Sequence, residues 1–309
     1  MEFLHVPVMI QEMLDFLNPR PGKRYLDGTL GGGTYADQIL VHSGPDGSLL
    51  GLDRDEEAIA ATEARLGGYG NRLTIRQASF AQAREILRDL NWHQVDGAVL
   101  DLGVSSHQVD YPQRGFSFRS SARLDMRMDR RQSLDAYEIV NTYSEAQIEG
   151  ILRKYGEERQ ARRIARAIVT ARRARPIETT TELAQSIVRV KGKKGDGHHP
   201  ATQTFQALRM AVNQELESLE RFLAEGYELL RPEGRMVIIS FHSLEDRLVK
   251  NAFRKWSQTC LCPPRVLRCR CGWSQKVRVL TKKPVRPAPA ELQSNPRSRS
   301  ARLRAVVRI

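Results

Sequence analysis

The chain has 309 residues, of which 40% are hydrophobic, enough to bury a full core and unlike a small peptide stapled by disulfides. No run of about 20 apolar residues occurs, and the opening MEFLHVPVMIQEML reads as an amphipathic helix instead of a signal peptide, so a cytoplasmic chain without a membrane span is expected. The formal charge of +13 is concentrated: residues 265–309 hold thirteen Arg or Lys against Glu291 alone, and residues 153–176 hold nine against two acids. Both stretches suit a phosphate polyanion, whereas an anionic membrane is disfavoured because the tail offers no interfacial aromatic beyond Trp273.

RYLDG at 24–28 predicts a short strand ending at a glycine-rich turn, and TYADQILVHS continues as a helix. SLLGLDRD at 48–55 predicts a second strand ending in acids, followed by the helical spacing of EEAIAATEARL. RLTIRQASF, AQAREILRDL and VDGAVLDLG at 95–103 add a third strand, a helix and a fourth strand. This alternation predicts an α/β fold, a parallel sheet with ligand loops at the carboxyl ends of its strands.

From 130 to about 223 the pattern turns helical: SLDAYEIVNTY, SEAQIEGILRKYG, EERQARRIARAIVTARR, TTTELAQSIVRV and TQTFQALRMAVNQELESLERFL, the last two separated by the loop KGKKGDGHHPA. Sheet patterning resumes in LLRPEGRMVIISFHS at 229–243, and KVRVLTK with ARLRAVVRI predicts a closing edge pair. The expected organisation is therefore a discontinuous α/β domain of residues 1–110 and 211–309, interrupted by an all-helical insertion over 111–210 that recognises the substrate. The basic helix at 159–175, with Arg163 and Arg166, would form one wall of a substrate channel.

Asp27 closes the first strand, and Gly28, Gly31, Gly32 and Gly33 follow it. Glycines let bare backbone approach a ligand, yet an acid just before the turn would repel a pyrophosphate and attract an ammonium. The order favours S-adenosylmethionine over a dinucleotide, with Asp27 near its amino acid end and Gly32, Gly33 and Thr34 around its methionine and ribose. Asp53, at the end of the second strand, can accept ribose hydroxyls, and Phe80 after the third can cover an adenine face or simply pack in the core. Asp101 ends the fourth strand, where an unpaired acid has no packing reason to stand.

In SFHSLEDR at 240–247, Ser240 and His242 could orient a base or phosphate, and Glu245 and Asp246 could cap the next helix. The cysteines at 260, 262, 269 and 271 form C-x-C-x6-C-x-C; zinc, reduced thiols and a local disulfide are all compatible with it, and no metal is assigned to the reaction site.

The blocks YLDGTLGGGTY, LLGLDRD, LDLGVSSHQVD, RGFSF, LDMRMD, KKGDGHHPATQTFQALRMAVNQEL, ISFHSLEDRLVK and NPRSRSARLR together resemble the bacterial RsmH family, also called MraW, from about residue 4 to the C-terminus. That resemblance implies a Rossmann-like class I methyltransferase sheet with an inserted helical domain. It also implies methylation, from S-adenosylmethionine, of the exocyclic amine of a cytidine at the decoding centre of 16S rRNA. By the same resemblance Gly32, Gly33, Thr34, Asp53, Phe80, Asp101 and Gln108 match cofactor-contacting positions. The family usually has histidine at Thr34 and proline at His107, so Thr34 would act through its backbone.

A cytosine amine is a weak nucleophile, because its lone pair is shared with the ring. Asp101 could accept one amine hydrogen and the Leu102 carbonyl the other, with His242 as a further polar group. Related amino-methyltransferases place Pro-Pro-aromatic after the strand; here DLGVSS has no aromatic, so Phe116 or Phe118 would stack on the extruded base unless they are core residues. His198 and His199 would meet RNA from their loop. The preferred substrate is 16S rRNA within the assembled small subunit, recognised through shape and phosphates. The rivals are a DNA amino-methyltransferase and a noncatalytic assembly factor that binds the same cofactor; oligomeric state is left open.

Overall fold

The computed structural model describes residues 8–192, 199–263 and 268–309. The chain forms two compact units, Met1–Gly103 with Leu216–Ile309, and Val104–Glu215. Its strands are β1 Arg24–Asp27, β2 Ser48–Asp53, β3 Leu73–Gln77, β4 Val95–Asp101, β5 Leu230–Ser240, β6 Val277–Val279 and β7 Arg302–Arg308. Its helices are α1 Ile10–Leu17, α2 Thr34–His42, α3 Glu56–Leu66, α4 Ala83–Asp89, α5 Ser106–Asp110, α6 Ala136–Thr142, α7 Glu145–Gly156, α8 Ala161–Arg172, α9 Thr180–Lys191, α10 Thr202–Asn213, α11 Glu215–Glu225, α12 Ser243–Trp256 and α13 Pro289–Ser294.

The first unit holds a seven-stranded sheet in the order β3-β2-β1-β4-β5-β7-β6. Strands β1 to β5 run parallel, while β7 is antiparallel to both β5 and β6, the closing pair expected from the sequence. Strand periodicity explains why both faces are dry. Leu26, Leu50, Leu52, Ala98 and Leu100 point to one side, with α4, α11 and α12 packed over them through Leu87, Phe222 and Phe253. Tyr25, Leu49, Val99, Val237 and Ile239 point to the other, beneath Met13, Leu17, Ile39 and Leu66 of α1 to α3. With the faces covered, the carboxyl edge of the parallel strands is left for a ligand. No helix among the described residues is long and apolar enough to cross a membrane.

The second unit packs α6 to α10 around its own core, which includes Ile148, Leu152, Ile164, Ile168, Leu183, Ile187, Phe205 and Leu208. Capping boxes start α7, at Ser144 and Gln147, and α9, at Thr179 and Glu182, each satisfying amides that a helix start leaves open. The sequence predicts one helix over 202–223, but it breaks at Gln214, whose φ is 49°. The side chain of Asn213 accounts for the break. Its Nδ2 donates to the carbonyls of Met126 and Arg209, both at 2.8 Å, and its Oδ1 accepts from the Met128 amide at 2.7 Å. Met126 is fully buried at φ 62°, a left-handed conformation that a methionine holds only where its surroundings enforce it. Across the break, Arg209 and Glu215 form a bidentate pair at 2.8 Å.

Replacing Asn213 with alanine strips partners from the Met128 amide and the Met126 carbonyl. The variant is expected to lose about 2–4 kcal/mol of stability, read as a lower thermal midpoint; an unchanged midpoint would show that the break is held by other contacts.

Candidate active site

The segment between β1 and α2 is tied down at every residue that matters to the turn. Gly28 still pairs with β4, its amide donating to the Val99 carbonyl at 3.0 Å, and Leu30 then crosses to β2, donating to Leu52 at 2.9 Å. A Cβ on Gly28 would stand 2.3 Å from Leu100 Cδ2 and 2.9 Å from Phe80 Cβ, so only glycine lets these three residues meet. Gly33 has φ 74° and opens α2, and its missing side chain leaves room for Thr62, whose methyl would be 2.6 Å from a Cβ there. The Thr62 hydroxyl donates to the Gly31 carbonyl at 2.9 Å. Gly32 is buried and Thr34 half-buried in the same turn.

Acids ring this turn. Asp53 Oδ2 accepts from the Gly31 amide at 2.7 Å and Oδ1 from the Asp55 amide at 2.9 Å, so this carboxylate, expected to meet a ribose, also clamps the glycine turn to β2. A carboxylate offers about four acceptor positions, which leaves capacity for hydroxyls. Thr29 joins the other two acids: its amide donates to Asp27 Oδ1 at 3.1 Å, and its hydroxyl accepts from the Asp101 amide at 2.6 Å. Asp27 Oδ2 and Asp101 Oδ1 are buried and find no partner among the described residues.

Burial pushes the carboxyl of Asp27 up to about 7, against the help of the Thr29 amide, and Asp53 adds repulsion. Burial raises Asp101 well above the carboxylate range, with further pushes from Asp27 and Glu245. Burial is also the main reason that Asp53 is raised. Asp27 and Asp101, raised in this way, favour their protonated forms in the free protein and would ionise beside a cation. A ligand with an ammonium or sulfonium fits, and a pyrophosphate does not.

Tyr35 was not foreseen from the sequence. It sits in the first turn of α2, 3% exposed, with its hydroxyl donating to the Val8 carbonyl and in hydrogen-bonding reach of Asp101. A phenol has one proton, so a protonated Asp101 can donate to the Tyr35 oxygen and satisfy both groups. The signal was present: a tyrosine one residue after Gly-Gly-Gly-Thr faces back across the turn.

Phe80 lies where β3 leads into the turn before α4. Its ring meets Phe222 edge-on at 5.8 Å, and the backbone around it is held by the Ser79 and Gln82 capping box and by Arg54, which donates to Ser79 Oγ at 2.7 Å. Phe80 is thus half core residue and half wall. Leu102 is buried, its amide donating to the Ile239 carbonyl at 2.9 Å.

Two residues at the end of β5 and just beyond it, Ser240 and His242, take a different part from the one expected. Ser240 is 2% exposed and its hydroxyl donates to the Arg302 carbonyl at 3.4 Å, a strand-edge contact. His242 is itself the N-cap of α12: Nδ1 accepts from the Glu245 amide at 3.4 Å, and Nε2 lies 3.0 Å from Glu245 Oε1 but outside hydrogen-bonding geometry. The expected cap Asp246 instead accepts from Arg304 at 2.6 Å and from Arg302 at 3.1 Å, and these arginines hold its carboxyl below the usual range despite burial. Glu245 does close the turn, accepting from the Phe241 amide at 2.9 Å.

The remaining residues belong to the second unit. Gln108 forms a capping box with Ser105 at the start of α5 and is 5% exposed, and His107 stacks on Tyr111 at 3.9 Å. Phe118 does not present an open face: His199 stacks on it at 4.4 Å and Phe205 meets it edge-on at 5.0 Å. Phe116 packs against the same core, with the Arg114 guanidinium 5.9 Å from its ring. His199 is exposed, so the outer surface of this stack is an imidazole. His198 lies outside the described residues. On α8, Arg162, Arg163 and Arg166 are exposed, with Gln160 2.9 Å from Arg163 and Glu145 3.5 Å from Arg166. Arg172 is spent on the carbonyls of Val140 and Tyr143, at 2.6 Å each.

The strand order, glycine turn and strand-end acids define a Rossmann-like class I methyltransferase fold with an inserted helical region. The chain belongs to the MraW methylase family, whose pattern matches residues 2–309. It is 49% identical over 311 residues to ribosomal RNA small subunit methyltransferase H of Symbiobacterium thermophilum, covering 100% of this chain and 98% of that one. The protein of the same name from Oleidesulfovibrio alaskensis is 52% identical over 309 residues, covering 99% and 95%. An rRNA methylase structure from Streptococcus thermophilus aligns over 99% of each chain at 11% identity, with a TM-score of 0.41.

The acids carry a pH signature. Asp27 titrates at about 7 in the folded chain against 3.8 ordinarily, so between about pH 4 and pH 7 the folded state binds the extra proton, and stability falls as pH rises through that window. Thermal melting of Asp27→Asn against the parent is expected to show the variant gaining relative stability from pH 5 to pH 7.5, up to ~3 kcal/mol. Parallel curves would mean that Asp27 is ionised throughout.

Proposed function

We infer that this chain transfers a methyl group from S-adenosylmethionine to the exocyclic N4 of a cytidine in 16S rRNA, at the decoding centre of the small ribosomal subunit. The observation that carries the reading is the pair of buried, unpartnered oxygens, Asp27 Oδ2 and Asp101 Oδ1, in a ring of raised acids at the carboxyl edge of the sheet. Membership of the MraW methylase family and the names of the relatives supply the reaction and its substrate.

When bound, S-adenosylmethionine supplies an electrophilic methyl on a sulfonium centre. Asp27 and Asp101 offer negative charge to its cationic end, the Gly32, Gly33 and Thr34 backbone lines its length, Asp53 accepts from its ribose, and Phe80 covers its base. Ionised Asp101 accepts a hydrogen from the cytidine amine at Oδ1, and the Leu102 carbonyl takes the other, which fixes the direction of the nitrogen lone pair. After transfer the amine is acidic, and Asp101 Oδ1 receives its proton. Tyr35 contacts this carboxyl, and Thr29 anchors the backbone amide of Asp101. Gln108 is assigned to the cofactor through the family pattern. The helical unit binds the rRNA, with exposed Arg163 and Arg166 on phosphates and His199, backed by Phe118, as a stacking surface for a base. Ser240 and His242 support the strand end and helix start from which the site is built.

Small ribosomal subunits lacking base methylation, incubated with methyl-labelled S-adenosylmethionine and then digested, are expected to yield N4-methylcytidine. Asp101→Asn is expected to lower the rate about 10²–10⁴-fold, the range for loss of a positioned proton acceptor. Label on another nucleoside would refute the assignment of the base, and equal rates in the variant would remove Asp101 from the chemistry. Assembled subunits should outpace naked 16S rRNA; equal initial rates on both would exclude recognition of the assembled particle.

A further inference from the structure

Between α12 and β6 lies a connection whose described residues, 257–263 and 268–276, form no helix or strand. Its two ends are fastened: the Lys276 amide donates to the Trp256 carbonyl at 2.8 Å, and Trp273 Nε1 donates to the Gln258 carbonyl at 3.0 Å. Among the described residues of this connection none is buried. Instead, Cys260, Cys262, Cys269 and Cys271 converge there as free thiols, their four sulfurs all within 4.8 Å of one another.

The separations have a definite size. Sγ of Cys260 lies 3.4 Å from Cys269 and 3.7 Å from Cys271; Cys269 lies 3.5 Å from Cys271 and 3.9 Å from Cys262. Four sulfurs about 2.3 Å from a central zinc ion stand about 3.8 Å apart along the edges of the tetrahedron. No pair lies at covalent distance, and the cage is too small for a cluster of several irons. Backbone amides point at the sulfurs as they do at thiolates that carry charge: Cys262 N is 3.3 Å from Cys260 Sγ, and Leu261 N is 3.4 Å from Cys271 Sγ. Four thiolates around a divalent ion leave a formal charge of about −2, and exposed Arg268 and Arg270 flank the ligands to offset it.

We propose that Cys260, Cys262, Cys269 and Cys271 bind one zinc ion, a structural site that ties residues 260–262 to 269–271 and orders Arg268 and Arg270 beside it. The site is closed, with four protein ligands and no position for substrate, so it takes no part in methyl transfer. Its energetic role follows from its surroundings: with none of its described residues buried, this connection gains its order from metal binding. The usual structural zinc spacing separates paired cysteines by two or more residues, so the sequence alone undervalues this C-x-C pair of pairs.

The test uses the full chain purified under reductant. Elemental analysis after equilibration with zinc and dialysis is expected to find about one zinc per chain, and cobalt in its place should give the intense visible absorption of tetrahedral tetrathiolate cobalt. Cys269→Ser with Cys271→Ser should fall below about a tenth of an equivalent while still binding S-adenosylhomocysteine, which reports that the sheet is folded. A metal-free parent with four titratable thiols after the same treatment, a disulfide persisting under reductant, or full metal content in the double variant would each overturn the proposal. Because metal content and cobalt absorption are read without rRNA, they stand or fall apart from the methylation assay.

Discussion

The burial of carboxyl groups at the ends of parallel strands is the constraint on which this protein is organised. Asp27 and Asp101 lie at the carboxyl ends of adjacent strands, and each has a buried oxygen that no group among the described residues satisfies. Desolvated carboxylates of this kind are costly, and proteins keep them neutral or pair them. A fold that holds two together, with Asp53 and Glu245 near, has given up stability at one place for a site that a cation completes. The neighbouring structure keeps the acids from escaping to solvent: Thr29 bonds to both, Tyr35 backs Asp101, and the glycine turn is clamped by Asp53 and Thr62.

The same economy appears in the residues that the sequence offers as reactive. His242, Glu245 and Asp246 stand together in one short motif, yet one caps a helix, one closes its first turn and one neutralises two arginines of β7. A parallel sheet ends in many open backbone groups where strands give way to helices, and polar side chains at those points are first needed to satisfy them. Reactive chemistry is left to groups that the fold leaves unsatisfied, which is why an orphaned carboxyl oxygen says more here than a histidine in a motif.

In the helical unit, charge and packing divide along the helix period. Ile164, Ala165 and Ile168 of α8 face the core while Arg162, Arg163 and Arg166 face solvent, so one amphipathic helix supplies both a core wall and an exposed basic surface. The buried loop of Met126, supported by Asn213 and by the Arg114 guanidinium on the Arg127 carbonyl at 3.0 Å, gives this unit a rigid element that ordinary helix packing does not require.

The sequence by itself determined the parallel sheet, the closing antiparallel pair, the helical insertion and the acids near the glycine turn, because these rest on local periodicity, on the short range of a turn and on blocks shared with a known family. It could not reveal that Asp27 and Asp101 meet through Thr29, that Tyr35 reaches Asp101, that Phe118 lies beneath His199, or that Asn213 ends a helix by bonding to Met126. Nor could it bring four sulfurs to tetrahedral spacing. Each of these depends on residues brought together from separate elements, and whether a polar group is spent or left free is decided only when every neighbour is in place.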